Sequence, residues 1–253
     1  MPGAIRLALR VPALLAATLG FYGLRLVLLL FTFAFPRMDS RARQFILTGW
    51  GRTCARIVGM RISVIGPLPK APFFLVSNHL TYLDGLTLAS QLGCIFVVKS
   101  EVARWPLLGF LTKQMNVIFV DRGKRNDTLR VNDLIAQTIA GGEGVIMFAE
   151  STTSRGDDVR PFKTALFESA AENGFPVHCA AIHYAALPGA PPASEWITWW
   201  TTISFGAHAS RVLRQRGLNA VLTFGETPIS GADRKLLAEQ AHAAVQALFI
   251  PVV

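Results

Sequence analysis

Residues 78–84 read Asn-His-Leu-Thr-Tyr-Leu-Asp, and their chemistry is that of a positioned base. His79 leaves an apolar run, PFFLVS, that has the β-branched and aromatic content of a strand, and Asp84 follows five residues later where a helix begins. A loop of that length can fold back so that the carboxylate reaches the imidazole. Such a contact fixes the tautomer and stabilises the imidazolium formed when His79 accepts a proton. No serine sits in a G-x-S-x-G elbow, so the sequence offers no covalent serine nucleophile. Three more apolar runs end on chemically capable side chains: CIFVV on Lys99, VIFVD on Arg122 and VIMFA on Glu150. One base, two cations and an acid at successive strand ends describe a site, because ligands of open α/β sheets bind at the carboxyl edge.

The elements that must position these groups follow from periodicity. From about residue 62, short apolar runs alternate with helical segments, which predicts an α/β fold. Its sheet is expected to be mixed and largely parallel, flanked by helices. Strands are predicted at 72–77, 94–98, 117–121, 145–149, 177–184, 197–205 and 220–225. Helices are predicted at 84–92, 101–113, 126–140 (with Asn126 as cap), 163–173 and 231–249.

Residues 11–35 carry a single charge, Arg25, and are long enough at about 1.5 Å per residue to cross a bilayer core of roughly 30 Å. A spanning helix and a helix dipping into one leaflet with Arg25 snorkelling are equally compatible with that stretch. Residues 40–60 predict a second helix with Arg52 and Arg56 away from its apolar face. Residues 1–60 are thus expected to form a membrane-anchoring helical segment, and residues 61–253 the catalytic domain.

Charge supports that division. The chain of 253 residues has a net charge of +9, yet residues 1–70 hold ten Lys/Arg against Asp39 alone, so the remainder is neutral. A basic segment beside an apolar one points to anionic lipid headgroups and away from a nucleic-acid partner. The arginines that follow residue 36 place the catalytic domain on the cytoplasmic side of the membrane. Cys54, Cys94 and Cys179 have no metal-ligand spacing, and neither have His178, His183, His208 and His242. These, and Trp196, Trp199 and Trp200, read as structural.

With these residues in place, the chain resembles the 1-acylglycerol-3-phosphate (lysophosphatidate) acyltransferases and their glycerolipid relatives. The family motif N-H-x-x-x-x-D is matched at Asn78, His79 and Asp84. A second, G-x-x-F-I-D-R, appears from Asn116 to Arg122, and a third, F-P-E-G-T, from Phe148 to Thr152. Asn116, Ala149 and Ser151 depart from the usual Gly, Pro and Gly, and Cys179 stands where a fourth block has Pro. The Lys99 region and Trp105-Pro106-Leu107-Leu108-Gly109 are also similar to the family. The resemblance implies transfer of a fatty acyl group from acyl-CoA or acyl-carrier protein to a lysophospholipid hydroxyl, with no cofactor. It assigns His79 as base and Asp84 as its partner. Asn78, Lys99, Arg122, Glu150 and Thr152 are assigned to substrate binding, with the two cations on the anionic headgroup. The first acceptor implied is 1-acylglycerol 3-phosphate. The run from Glu150 to Ser154, followed by Arg160–Lys163, is also similar to relatives acting on other lysolipids such as lyso-ornithine lipid. A catalytically degenerate lipid-binding homologue is the rival reading, and a hydrolase is a third.

Overall fold

The computed structural model describes residues 2–32, 34–104, 108–121 and 127–252. Two long helices, α1 (Gly3–Thr32) and α2 (Pro36–Val58), come first and pack against each other. They lead into β1 (Met60–Ile65), β2 (Phe73–Ser77), α3 (Leu83–Ala89) and β3 (Ile95–Lys99). Next come α4 (Leu108–Gln114), β4 (Ile118–Val120), α5 (Asp127–Ala140), β5 (Gly144–Phe148) and α6 (Glu168–Asn173). The chain closes with β6 (Val177–Ala186), α7 (Ala193–Trp196), α8 (Phe205–Arg214), β7 (Leu218–Phe224) and α9 (Arg234–Leu248).

The seven strands form one sheet in the order β1-β7-β6-β2-β5-β3-β4, and every neighbouring pair is parallel except β6 with β7. All five residues of β2 are buried, as a central strand covered on both faces requires. Its alternate side chains divide between two cores. Phe73 and Leu75 join the layer containing Leu88, Trp196 and Val212. Phe74 and Val76 join the layer built with Val131, Ile135 and Leu237. The three cysteines are buried and free.

Two predictions about this frame are corrected. The edge strand β1 was not anticipated, because three of its last four residues are exposed and it follows a helix with no intervening loop. That junction is Gly59, which ends α2 at φ 82°, and a Cβ there would lie 2.9 Å from the Arg216 carbonyl oxygen. The predicted strand 197–205 is a connection between α7 and α8. It is fastened to the loop after β2 by a backbone bond, the Trp199 N–H donating to the Leu80 carbonyl at 2.8 Å. Asn126 and Arg122 lie outside the described residues, as do Trp105-Pro106-Leu107.

Arg25 is neither exposed to lipid nor snorkelling. It is 4% exposed and pairs with Asp39 of α2 at 2.7 Å. Asp39 also binds Arg43, which reaches Glu143 at 2.7 Å, so α1 is wired through α2 to the turn before β5. At the other end of α1, Arg6 donates to the Arg214 carbonyl at 2.7 Å and Arg10 to those of Leu213 and Gln215 at 3.0 and 2.6 Å. These are orphan carbonyls at the end of α8, where cations are favoured. Arg6, Arg10, Arg25 and Arg43 are therefore structural, Arg52 is exposed but donates to the Ser90 carbonyl at 3.0 Å, and Arg37, Arg41, Arg56, Arg61 and Lys70 are exposed.

Candidate active site

β2 delivers Asn78 and His79 at its carboxyl end, and α3 begins four residues later. Asp84, in the first turn of α3, turns back toward the strand. Its Oδ2 lies 2.7 Å from His79 Nδ1 and accepts the backbone N–H groups of Leu80 and Thr81 at 2.6 and 2.9 Å. One carboxylate oxygen thus gathers the whole loop. Asp84 is fully buried, whereas the His79 side chain is 22% exposed. An anionic acceptor at Nδ1 assigns the proton to that nitrogen and leaves the Nε2 lone pair available. The Asp84 Oδ1 atom is buried without a hydrogen-bond partner of good geometry among the described residues. The Tyr184 phenol of β6, 3.0 Å from Thr87 Oγ1, lies close enough that the Asp84 charge adds to burial in pushing its pKa well up.

The imidazole is backed on one face, and the His79 backbone is fixed on both sides of the Cα. Its ring stacks on Phe148, the last residue of β5, with centroids 4.2 Å apart and planes 12° from parallel. The His79 N–H donates to Glu150 Oε1 at 2.7 Å, and the His79 carbonyl accepts from the Ser154 N–H at 2.9 Å. Glu150 Oε2 accepts the Arg160 N–H at 3.1 Å. The segment after β5 therefore wraps the base from Phe148 to Arg160. Within it Ser151 holds φ 69°, and Asn116, in the turn before β4, holds φ 54°. Both replace a family glycine and keep the left-handed backbone that glycine adopts freely, at a strain on the order of 1 kcal/mol for Ser151.

The predicted site residues separate into four groups. His79, Asp84 and Glu150 are brought together. Asn78 sits beside them but turns inward: its amide donates to the Ile182 carbonyl at 3.0 Å, and its oxygen accepts the Ile182 N–H at 2.7 Å. At 1% exposure it fastens the catalytic loop to β6. Lys99 is exposed at the end of β3, two strands from β2 and so about 10 Å away across the sheet. Thr152 is exposed in the wrapping segment. Arg122 falls outside the described residues.

Burial raises the Glu150 pKa to about 7, against the opposing pull of the His79 and Arg160 N–H groups. A carboxyl whose folded pKa lies above its ordinary value stabilises the fold fully below that ordinary value. The contribution is lost as pH rises through the folded pKa. Wild-type stability is therefore expected to fall between about pH 4.5 and pH 7 through this group. Glu150→Gln, which cannot ionise, should remove that part of the slope in melting curves taken across the interval. An unchanged slope would mean that Glu150 ionises normally.

The sequence did not reveal how the 196–208 segment serves the site. Tyr82, inside the catalytic motif, packs edge-on against Trp199, Phe205 and His208. Its hydroxyl lies 3.2 Å from His208 Nδ1, while His208 Nε2 meets the Thr198 carbonyl at 3.1 Å. His208 is structural, as its lack of metal spacing suggested, and what it structures is the catalytic loop. The available signal was the density of aromatic residues after Glu195, which reads equally as strand.

Comparison with known proteins gives the chain's family. A family model described as Acyltransferase matches residues 61–183. A lyso-ornithine lipid O-acyltransferase from Brucella abortus is 32% identical, over 98% of this chain and 95% of its own length. A 1-acyl-sn-glycerol-3-phosphate acyltransferase from Neisseria gonorrhoeae is also 32% identical, over 57% of each chain. The crystal structure of the 1-acyl-sn-glycerophosphate acyltransferase from Thermotoga maritima shares the fold, with a TM-score of 0.58 at 21% identity over 94% of this chain and 97% of that one. The His79–Asp84 pair lies inside the matched region, and the likeness to the Brucella enzyme runs nearly end to end: the chain belongs to the acyltransferase family.

Proposed function

We propose that this acyltransferase moves a fatty acyl group from a thioester, acyl-CoA or acyl-carrier protein, to the hydroxyl of a lysolipid at the membrane surface, with His79 as general base. The observation that carries the reading is the 2.7 Å contact between buried Asp84 and partly exposed His79. Nε2 takes the proton of the acceptor hydroxyl as its oxygen bonds to the thioester carbonyl carbon. The carbonyl re-forms as the C–S bond breaks, and the thiolate recovers the proton from the imidazolium. Asp84 stabilises the cation in between. A thiolate leaves readily, so no acyl-enzyme is needed. The complete His–Asp pair argues against a degenerate lipid-binding homologue.

The similarity over almost the whole chain to a lyso-ornithine lipid O-acyltransferase supports that lysolipid as acceptor. The narrower similarity to 1-acyl-sn-glycerol-3-phosphate acyltransferases supports the phosphate-bearing acceptor first implied by the motifs. A membrane site is supported by α1, the described helix long and apolar enough to cross a bilayer. Because α1 is tied to α8 at its start and to Asp39 at Arg25, we favour an interfacial placement. In it the exposed Leu30 (72%) and Phe31 (69%) enter one leaflet and Arg37 and Arg41 meet its phosphates.

Full-length protein should sediment with anionic vesicles and acylate lyso-ornithine lipid faster than 1-acylglycerol 3-phosphate. A Leu30→Glu/Phe31→Glu variant should lose most sedimentation while still acylating detergent-dispersed acceptor. Release of free fatty acid without acylated lipid would identify a hydrolase. Undiminished sedimentation of the variant would remove the membrane role of this hairpin.

A further inference from the structure

Two consecutive residues at the start of the catalytic loop, His79 and Leu80, are tied to one cleft that the proposed reaction leaves unused. Ser154, whose N–H holds the His79 carbonyl, is followed by Arg155; Trp199, whose N–H holds the Leu80 carbonyl, is followed by Trp200. Arg155 and Trp200 line a cleft of about 180 Å³ with Thr198, His208, Glu195 and Arg211. That volume is below the range of drug-sized ligand pockets and suits a small polar headgroup. Its walls cannot shift far without disturbing His79, because consecutive Cα atoms are only about 3.8 Å apart.

The charges in this cleft are set out for a ligand of two signs. Arg155 lies over the Trp200 ring at 5.7 Å, an arrangement that extends its guanidinium along the wall, and its ion contact with Asp157 is loose at 3.8 Å. Arg211 spends one N–H on the Glu195 backbone carbonyl at 2.9 Å, which brings the cation beside that residue. Neither Arg211 nor the Glu195 carboxylate has an ion-pair partner among the described residues. His208, whose pKa is lowered by burial and by Arg211, stays neutral and adds no third charge.

We propose that this cleft is the acceptor headgroup subsite and that it takes a zwitterionic amino-acid headgroup, with the carboxylate on Arg155 and Arg211 and the ammonium on Glu195. Guanidinium forks match a carboxylate bidentately. Glu195 then acts as the discriminating group, since it attracts an ammonium and repels a phosphate placed on the same arginines. The proposal rests on the lysolipid acyltransferase reading and deepens it. It also explains how a lyso-ornithine acceptor, which has a carboxylate and an amine where lysophosphatidate has only a phosphate, is chosen at a shared base.

The test is steady-state kinetics of the full-length protein on vesicles with each acceptor in turn and acyl-CoA as donor. Arg155→Ala is expected to raise KM for lyso-ornithine lipid about tenfold or more, with kcat and the donor KM changed by less than about twofold. Arg155 is more than half exposed, so its removal should leave the melting temperature in place. Glu195→Gln is expected to raise KM for lyso-ornithine lipid and leave or lower it for 1-acylglycerol 3-phosphate. Unchanged acceptor KM in both variants, in a wild type that does acylate lyso-ornithine lipid, overturns the subsite and leaves the proposed reaction standing. A rise confined to the donor KM overturns it in favour of a donor phosphate site. Equal losses on both acceptors in Glu195→Gln overturn the zwitterion. A wild type that acylates neither lysolipid overturns the functional reading itself, and the subsite with it.

Discussion

Replacing His79 with alanine is expected to lower turnover by about 10²–10⁴-fold, the usual contribution of a positioned general base, while thermal melting stays within a degree or two. The ring is the only part of His79 in question. Its N–H and carbonyl, which hold Glu150 and Ser154, survive the substitution, so the wrapping segment keeps its place. Asp84→Asn asks a sharper question. An asparagine oxygen can still gather the Leu80 and Thr81 N–H groups, so the loop is kept and only the charge facing the imidazolium is lost. Turnover should fall by about a hundredfold or more, with acceptor KM little changed. A folded His79→Ala protein with near-normal turnover would sink the mechanism. An inactive Asp84→Asn that has also lost stability would recast Asp84 as a structural clamp.

The largest expected effect on stability lies far from the reaction. Asp39→Ala removes the one carboxylate shared by Arg25 and Arg43, which are 4% and 7% exposed. Two buried guanidinium groups would then face each other with, among the described residues, Glu143 alone to offset one of them. Breaking a buried pair by removing one partner typically costs 3–5 kcal/mol, which is a large share of the roughly 5–15 kcal/mol that stabilises a domain. Denaturant unfolding in detergent should register that loss. Arg234→Ala is the contrast: its pair with Glu168 is exposed, and its removal should cost less than about 1 kcal/mol. If Asp39→Ala unfolds at the same denaturant concentration as wild type, the network is not holding the two long helices to the domain.

What could be read from the sequence and what could not divide along physical lines. The His79–Asp84 pair was legible because it is local: five residues, a strand end and a helix start. The parallel strands were legible because burial on both faces makes them near-continuous apolar runs. The inward turn of Asn78 was hidden, since its partner Ile182 is 104 residues away and nothing in a motif says which way an amide points. Glu150 was expected at the substrate and is found beneath the base, because its two oxygens meet N–H groups from residues 79 and 160. Residues 197–205 misled because tryptophan, isoleucine and threonine favour strands on any propensity scale. The Trp199 and Phe205 rings pack on Tyr82, and the Trp199 N–H goes to the catalytic loop instead. Arg25 misled in the same way, since a lone charge in an apolar helix gives no hint of a carboxylate waiting on the next one.

The Asn78 clamp also bears on when during folding the enzyme comes alive. The catalytic loop is completed by residues 71 positions away at Glu150, 104 away at Ile182 and more than a hundred away at Trp199. Contacts of that sequence separation close late, because the chain loses loop entropy before they stabilise it. The α1–α2 pair, by contrast, is made of neighbours in sequence and closes early. That helical pair can be in place well before β6 arrives to lock His79. Turnover in this protein therefore reports a finished sheet, and a chain that has formed only its first two helices is still silent.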